Sequence, residues 1–151
     1  MHFSHLLRKG RVSLPFHFYV LTMVTKNRDN FFHSFDIAQK VIAEIYTLEN
    51  EQAIKTISYV LMPDHLHWQF QLLQIHNLPD VVKRLKGRTT MSINKLLNRK
   101  GAIWQADYFD HQIKNDDDLI NQARYIVANP LRAGIVKNIG EYPYWNCIYL
   151  E

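Results

Sequence analysis

Met62-Pro63-Asp64-His65-Leu66-His67-Trp68-Gln69-Phe70 is the stretch on which the fold turns. A β-strand sends successive side chains to opposite faces. Read as a strand over 65–72, it places His65, His67, Gln69 and Gln71 on one face and Leu66, Trp68, Phe70 and Leu72 on the other. The apolar set suits a core, and the polar set presents two imidazoles about 7 Å apart along the strand. Histidine is the commonest metal ligand, so the pair is a candidate half-site; a half-exposed strand with two surface histidines fits the motif alone as well. Pro63-Asp64 is a tight connection. Residues 53–61 before it read as a strand with Ile57, Tyr59 and Leu61 on one face, so the two strands predict an antiparallel hairpin.

Outward from the hairpin, residues 16–25 are apolar on both alternating faces, the pattern of a central strand. A helix is predicted over 34–49, with Ser34 as N-cap and Ile37, Val41, Ile45 and Leu48 as its stripe. Leu78, Val81, Val82 and Leu85 predict a second helix over 78–98, with Gly87 as a bend and Lys100-Gly101 as its end. Residues 103–113 read as a last strand. Asn115-Asp116-Asp117-Asp118 then opens a helix that runs to about Ala128, before Asn129-Pro130. This order predicts an α+β fold, an antiparallel-rich sheet with helices packed on it.

At 151 residues the chain is expected to form one domain, 1–151, with a core that needs no disulfide. The single cysteine, Cys147, excludes an intrachain bridge and a cysteine-rich zinc site. No apolar run approaches the roughly 20 residues of a membrane helix, and a cytoplasmic protein is the expectation. The net charge of +4 is unevenly placed. No acid lies between Asp80 and Asp107, where Lys83, Arg84, Lys86, Arg88, Lys95, Arg99 and Lys100 fall, and Arg8, Lys9 and Arg11 cluster near the start. Segregated basic charge suits a polyanion; a solvated helix face is the plainer explanation.

In the last helix the apolar stripe is Leu119, Ile120, Ala123, Ile126 and Val127, and Tyr125 points away from its centre. Asn129 lies four residues on, on the same face, with an amide oxygen able to ligate a hard cation. A phenol near a divalent ion is suited to attack on a phosphodiester, because the ion neutralises the phosphate and aligns it. Tyr108 is the rival nucleophile, His111 a candidate proton shuttle or structural histidine, and Asp64 a turn residue. Trp68 and Trp104 are expected in the core.

Three stretches carry a resemblance: Tyr59 to His67, Ile103-Trp104-Gln105 through Tyr108-Phe109-Asp110-His111, and Ala123 to Gly134. His65-Leu66-His67 resembles the His-hydrophobic-His (HUH) motif of single-stranded DNA endonucleases, and the chain is similar to the REP-associated tyrosine transposases. The resemblance implies a ferredoxin-like sheet of HUH endonuclease type with the histidines on a central strand. It implies Mg²⁺ or Mn²⁺ held by His65 and His67, and Tyr125 forming a 5′-phosphotyrosine bond with single-stranded DNA. Asn129 would be the third ligand, where insertion-sequence relatives often carry Gln. Targets in the family are imperfect hairpins, which Arg8, Lys9, Arg11, Lys83, Arg84, Lys86, Arg88 and Lys95 are candidates to contact. Both a monomer and a homodimer occur among such proteins. The rival functions are a non-catalytic hairpin-binding module and a phosphodiesterase that uses water as nucleophile. The Tyr142-Pro143-Tyr144-Trp145 segment either packs back on the domain or covers an interface.

Overall fold

The computed structural model describes residues 13–150. Strands β1 (Phe18–Val24), β2 (Ile54–Met62), β3 (His65–Leu72), β4 (Phe109–Ile113) and β5 (Trp145–Cys147) form one antiparallel sheet in the order β4-β1-β3-β2-β5. Helix α1 (Phe35–Asn50) joins β1 to β2, and α2 (Leu78–Leu97) joins β3 to β4. The βαββαβ order with strands arranged 4-1-3-2 is the ferredoxin-like fold, here extended by β5. Helix α3 (Asp116–Val127) and the one-turn helix α4 (Asn129–Arg132) follow β4. Among the described residues no helix is long and apolar enough to cross a membrane.

The histidine strand is central, between β1 and β2. Its apolar face behaves as the alternation dictates: Leu66, Trp68 and Phe70 are fully buried. Across the strands Leu66 meets Leu61 and Met23, and Trp68 meets Tyr59 and Leu21. Helix α1 covers this face with Ile37, Val41, Ile45 and Leu48, and α2 packs beside it. Each fully buried side chain of this size contributes about 1.5–3 kcal/mol. The Ser34 cap holds, its hydroxyl accepting from the Ile37 N–H at 3.4 Å. Trp104 is also buried, its indole N–H donating to Thr89 Oγ1.

Several expectations need correction. A β-bulge between Thr56 and Ser58 takes Ile57 out of the alternation, so Tyr59 shares its face with Thr56 instead. Helix α2 passes through Gly87 without interruption and stops earlier than Lys100-Gly101, at Asn98, whose left-handed backbone (φ 51°) closes it. The strand expected over 103–113 is only its second half. Trp104 makes one bridge to Thr25, and the loop after it is held by Lys86 Nζ, which donates to the carbonyls of Gln105, Ala106 and Asp107 at 2.7, 3.2 and 3.1 Å. The C-terminal segment packs back on the domain: the buried Tyr142 donates its hydroxyl to the Leu61 carbonyl, and Trp145 begins β5.

The polar face of β3 is not an open surface. Helix α3 lies over it, and Gln69, expected beside the histidines in solvent, is fully buried. Gln69 accepts from Ser58 Oγ at 2.9 Å and donates to the Leu119 carbonyl of α3 at 3.0 Å. That contact docks the helix. From Leu119 the helix advances about 9 Å to Tyr125 at 1.5 Å per residue, while on the strand His67 lies about 7 Å from Gln69. The two periodicities deliver the tyrosine to the histidines.

Candidate active site

Each histidine of the pair is fixed through Nδ1. His65 Nδ1 lies 2.6 Å from Asp64 Oδ1, and His67 Nδ1 lies 2.9 Å from Thr22 Oγ1 on β1. The rings stand edge to face with centroids 4.8 Å apart. With both Nδ1 atoms engaged, Nε2 is left on each ring, the arrangement that orients metal-ligating imidazoles. Asp64 is therefore more than a turn residue. Its other oxygen accepts from Arg28 Nε at 3.0 Å, and Arg28 sits in left-handed backbone (φ 52°) to make that contact. Burial pushes the Asp64 carboxyl up, but the hydrogen bonds from His65 and Arg28 outweigh it and hold the group below the usual carboxylate range. Burial, with the neighbouring His65 and Arg132 charges, pushes the His67 imidazole down to about 4. It is thus neutral near pH 7, the form in which an imidazole binds a metal.

A cavity of about 320 Å³ opens beside His67, lined by Thr22, His67, His111, Gln122, Tyr125 and Asn129, with Val20 and Ile126 as its apolar wall; His65 is not part of this lining but adjoins His67, their ring centroids 4.8 Å apart. The sheet explains four of these residues. Thr22 pairs with His67, and His111 pairs with Val20 on the neighbouring strand, so all face the same side. The helix supplies the others at i, i+3, i+4 and i+7 from Gln122. Tyr125 is 59% exposed, so nothing in the core of its helix requires an aromatic there. A second groove of about 360 Å³, lined by His111, Ile113, Asp118, Asn121, Gln122 and Tyr125, continues from the first. Tyr125 stands between the two.

Helix α3 begins at Asn115, whose side chain accepts from the Asp118 N–H at 2.9 Å, and three acids fill its first turn. It ends before Pro130, and α4 is closed by a Schellman turn at Gly134 (φ 72°), with the Ile135 N–H donating to the Pro130 carbonyl at 3.0 Å. Arg132, seven residues on from Tyr125 along nearly continuous helical backbone, lies over its ring. Its guanidinium carbon is 3.7 Å from the ring centroid, Nη1 donates to the Tyr125 carbonyl at 2.7 Å, and Nη2 donates to Asn129 Oδ1 at 2.8 Å.

His65, His67 and Asn129 fit a divalent ion: two oriented imidazoles and an amide oxygen that keeps a second lone pair beyond its bond to Arg132. Among the described residues no three His, Cys, Asp or Glu side chains gather as a metal site.

The structure thus brings Tyr125, His67 and Asn129 to one cavity and adds His111, Thr22, Gln122 and Arg132. Tyr108 is buried under Lys86 and does not line the cavity. Of the basic residues singled out, Lys83, Arg84 and Lys95 are exposed on α2, in the helical layer on the opposite face of the sheet from the histidines. Lys86 holds the loop carbonyls, and Arg88 Nη1 donates to Glu44 Oε1 at 2.9 Å and Glu51 Oε1 at 2.7 Å, tying α2 to α1. Arg8, Lys9 and Arg11 lie outside the described residues. Thr22 and Gln122 carried no local signal; adjacency to His65 was the only one for Asp64, and seven-residue spacing from Tyr125 the only one for Arg132.

A family model described as "Transposase IS200 like" matches residues 15–129. The chain belongs to the IS200-like transposases. A Haemophilus influenzae protein assigned as a REP-associated tyrosine transposase is 28% identical over 141 residues, covering 83% of this chain and 77% of the relative. A REP-associated tyrosine transposase of Escherichia coli K12 is 24% identical over 102 residues, covering 66% of this chain and 58% of that protein. A solved structure of a REP-associated tyrosine transposase bound to a REP hairpin is similar with a TM-score of 0.76 at 20% identity, over 89% of this chain and 79% of that one. A Deinococcus radiodurans structure described as a transposase is similar with a TM-score of 0.55 at 20% identity, over 80% of this transposase and 95% of that chain. The ferredoxin-like fold and the family resemblance both stand.

Proposed function

We propose that this transposase cleaves and rejoins single-stranded DNA beside hairpins through a covalent bond to Tyr125. The observation that carries the reading is the shared cavity, in which Tyr125, His67, His111 and Asn129 converge from strands β3 and β4, on either side of β1, and from helices α3 and α4. The Tyr125 oxygen bonds to phosphorus as the bond to the 3′-oxygen breaks. The 5′ end stays on Tyr125 and a 3′-hydroxyl leaves. His67 is held neutral as a ligand, so His111 is the remaining titratable group of the lining placed to take the phenolic proton and return one to the departing oxygen. A divalent ion, Mg²⁺ or Mn²⁺, on His65, His67 and Asn129 would neutralise the phosphate's non-bridging oxygens. The phosphotyrosine conserves the bond, so a second 3′-hydroxyl can reverse the step and join strands without a nucleotide cofactor.

Hairpin DNA is proposed from the REP hairpin bound in the similar structure. Lys83, Arg84 and Lys95 lie on the face of the sheet opposite the cavity, so they would meet phosphates only of DNA that extends around the edge of the domain, and binding should weaken steeply with salt. One chain supplies Tyr125, His67, His111 and Asn129 to the cavity, which supports a monomer as the catalytic unit; a homodimer is the alternative. The test incubates labelled single-stranded hairpins with Mn²⁺ or Mg²⁺ and resolves products on denaturing gels. The expected result is a metal-dependent protein–DNA adduct, absent in Tyr125→Phe and in His65→Ala/His67→Ala. Cleavage that persists in Tyr125→Phe moves the nucleophile to water, and binding without cleavage favours a hairpin-binding module.

A further inference from the structure

We infer that Arg132 is a positioning residue for the nucleophile, acting as a fixed plate against which the Tyr125 ring is held. The inference rests on Tyr125 being the attacking group. A tyrosine on the exposed side of a helix has two free side-chain torsions and few neighbours, and Tyr125 is 59% exposed. An in-line attack needs its oxygen in one place, and misplacement by about 1 Å costs on the order of a hundredfold in rate. The core does not hold the ring. Arg132 does, with its guanidinium carbon 3.7 Å from the ring centroid.

The plate is itself pinned. Nη1 is anchored on the Tyr125 carbonyl at 2.7 Å and Nη2 on Asn129 Oδ1 at 2.8 Å. One guanidinium thus ties together the nucleophile's backbone, its ring and the candidate third ligand. The Asn129 bond has a further consequence. Arginine only donates, so it fixes which end of the amide faces Arg132 and leaves the second lone pair of that same oxygen as its donor to a metal. The spacing that allows this is local: Asn129 and Arg132 follow Tyr125 at i+4 and i+7 on nearly continuous helical backbone. Lysine cannot substitute, because a compact ammonium makes no planar stack and no two-pronged anchor while it covers a ring.

Arg132→Lys and Arg132→Ala therefore form the test. Adduct formation is measured in single turnover at saturating Mn²⁺ and hairpin DNA, with the DNA Kd measured separately by anisotropy. Both variants are expected to slow the covalent step by at least about tenfold, with the Kd of Arg132→Lys within about threefold of the parent. A wild-type rate in Arg132→Lys, or a loss confined to Kd, overturns the assignment and makes Arg132 a phosphate contact. A second arm needs no activity: NMR of tyrosine-labelled protein, with the Tyr125 ring signal identified by its absence in Tyr125→Phe. That signal should move in both arginine variants, and an unmoved signal refutes the plate. If the parent protein forms no adduct while the ring signal still moves, the Tyr125 mechanism has failed and the positioning contact has not.

Discussion

The two faces of strand β3 were built by different rules. On one, Leu66, Trp68 and Phe70 are fully buried against neighbouring strands and the α1–α2 layer, and apolar area explains the face, with one polar contact, the Trp68 indole N–H donating to Thr56 Oγ1 at 3.0 Å. On the other, His65, His67 and Gln69 are each held by a named polar partner: Asp64, Thr22, and Ser58 with the Leu119 carbonyl. The first face tolerates any hydrophobe of the right volume. The second tolerates little, because a buried polar group that loses its partner costs about 1–3 kcal/mol. The difference separates stability from chemistry along a single strand, residue by alternate residue.

Adjacent substitutions break that comparison most sharply. Trp68→Ala should cost about 3–5 kcal/mol in urea denaturation. His67→Gln, one residue away, breaks the bond to Thr22 and should cost about 1–3 kcal/mol, less than Trp68→Ala, yet remove adduct formation. Equal stability losses in the pair would merge the two faces into one core. Mn²⁺ supplied at a hundred times its Kd should stabilise the parent protein by about 2.7 kcal/mol, read as a rise in Tm. His65→Ala/His67→Ala should show no such rise; a rise that survives places the ion elsewhere.

Gln69→Ala tests the dock between the faces. It orphans the Ser58 hydroxyl and the Leu119 carbonyl, and should cost about 2 kcal/mol. Still folded in dilute buffer, the variant should form adduct more slowly than its stability loss predicts, because α3 carries Tyr125. Full activity in that variant would show that the α4 turn alone places the tyrosine. The smallest effect belongs to the α2 side. An added Cβ at Gly87 meets no atom within 4 Å, so Gly87→Ala should add about 0.5–1 kcal/mol and leave adduct formation unchanged.

The apolar face was legible because alternation and helical stripes are local patterns. His65, His67, Tyr125 and Asn129 were legible too, through spacing and resemblance. Ile57 and the half-strand over 103–108 were misread, because a bulge and a lysine-held loop leave no mark on hydrophobic periodicity. Gln69 was misread because alternation gives the face of a residue but not what covers it.

Sequence by itself therefore determined the hairpin, the helices, the core stripe and the candidate residues of the site, since each follows from neighbours a few residues apart. The tertiary structure alone decided that α3 lies over the histidines and that His111 joins Tyr125. It also decided that Asp64 and Thr22 orient the imidazoles, and that Arg88 serves the fold. The His111, Thr22 and Arg88 contacts join residues far apart in the chain, where only the packing of strands and helices sets what meets. Asp64 and Arg132 lie close to their partners in sequence, but the Pro63-Asp64 turn and the helical run from Tyr125 to Arg132 had to fold before either could reach.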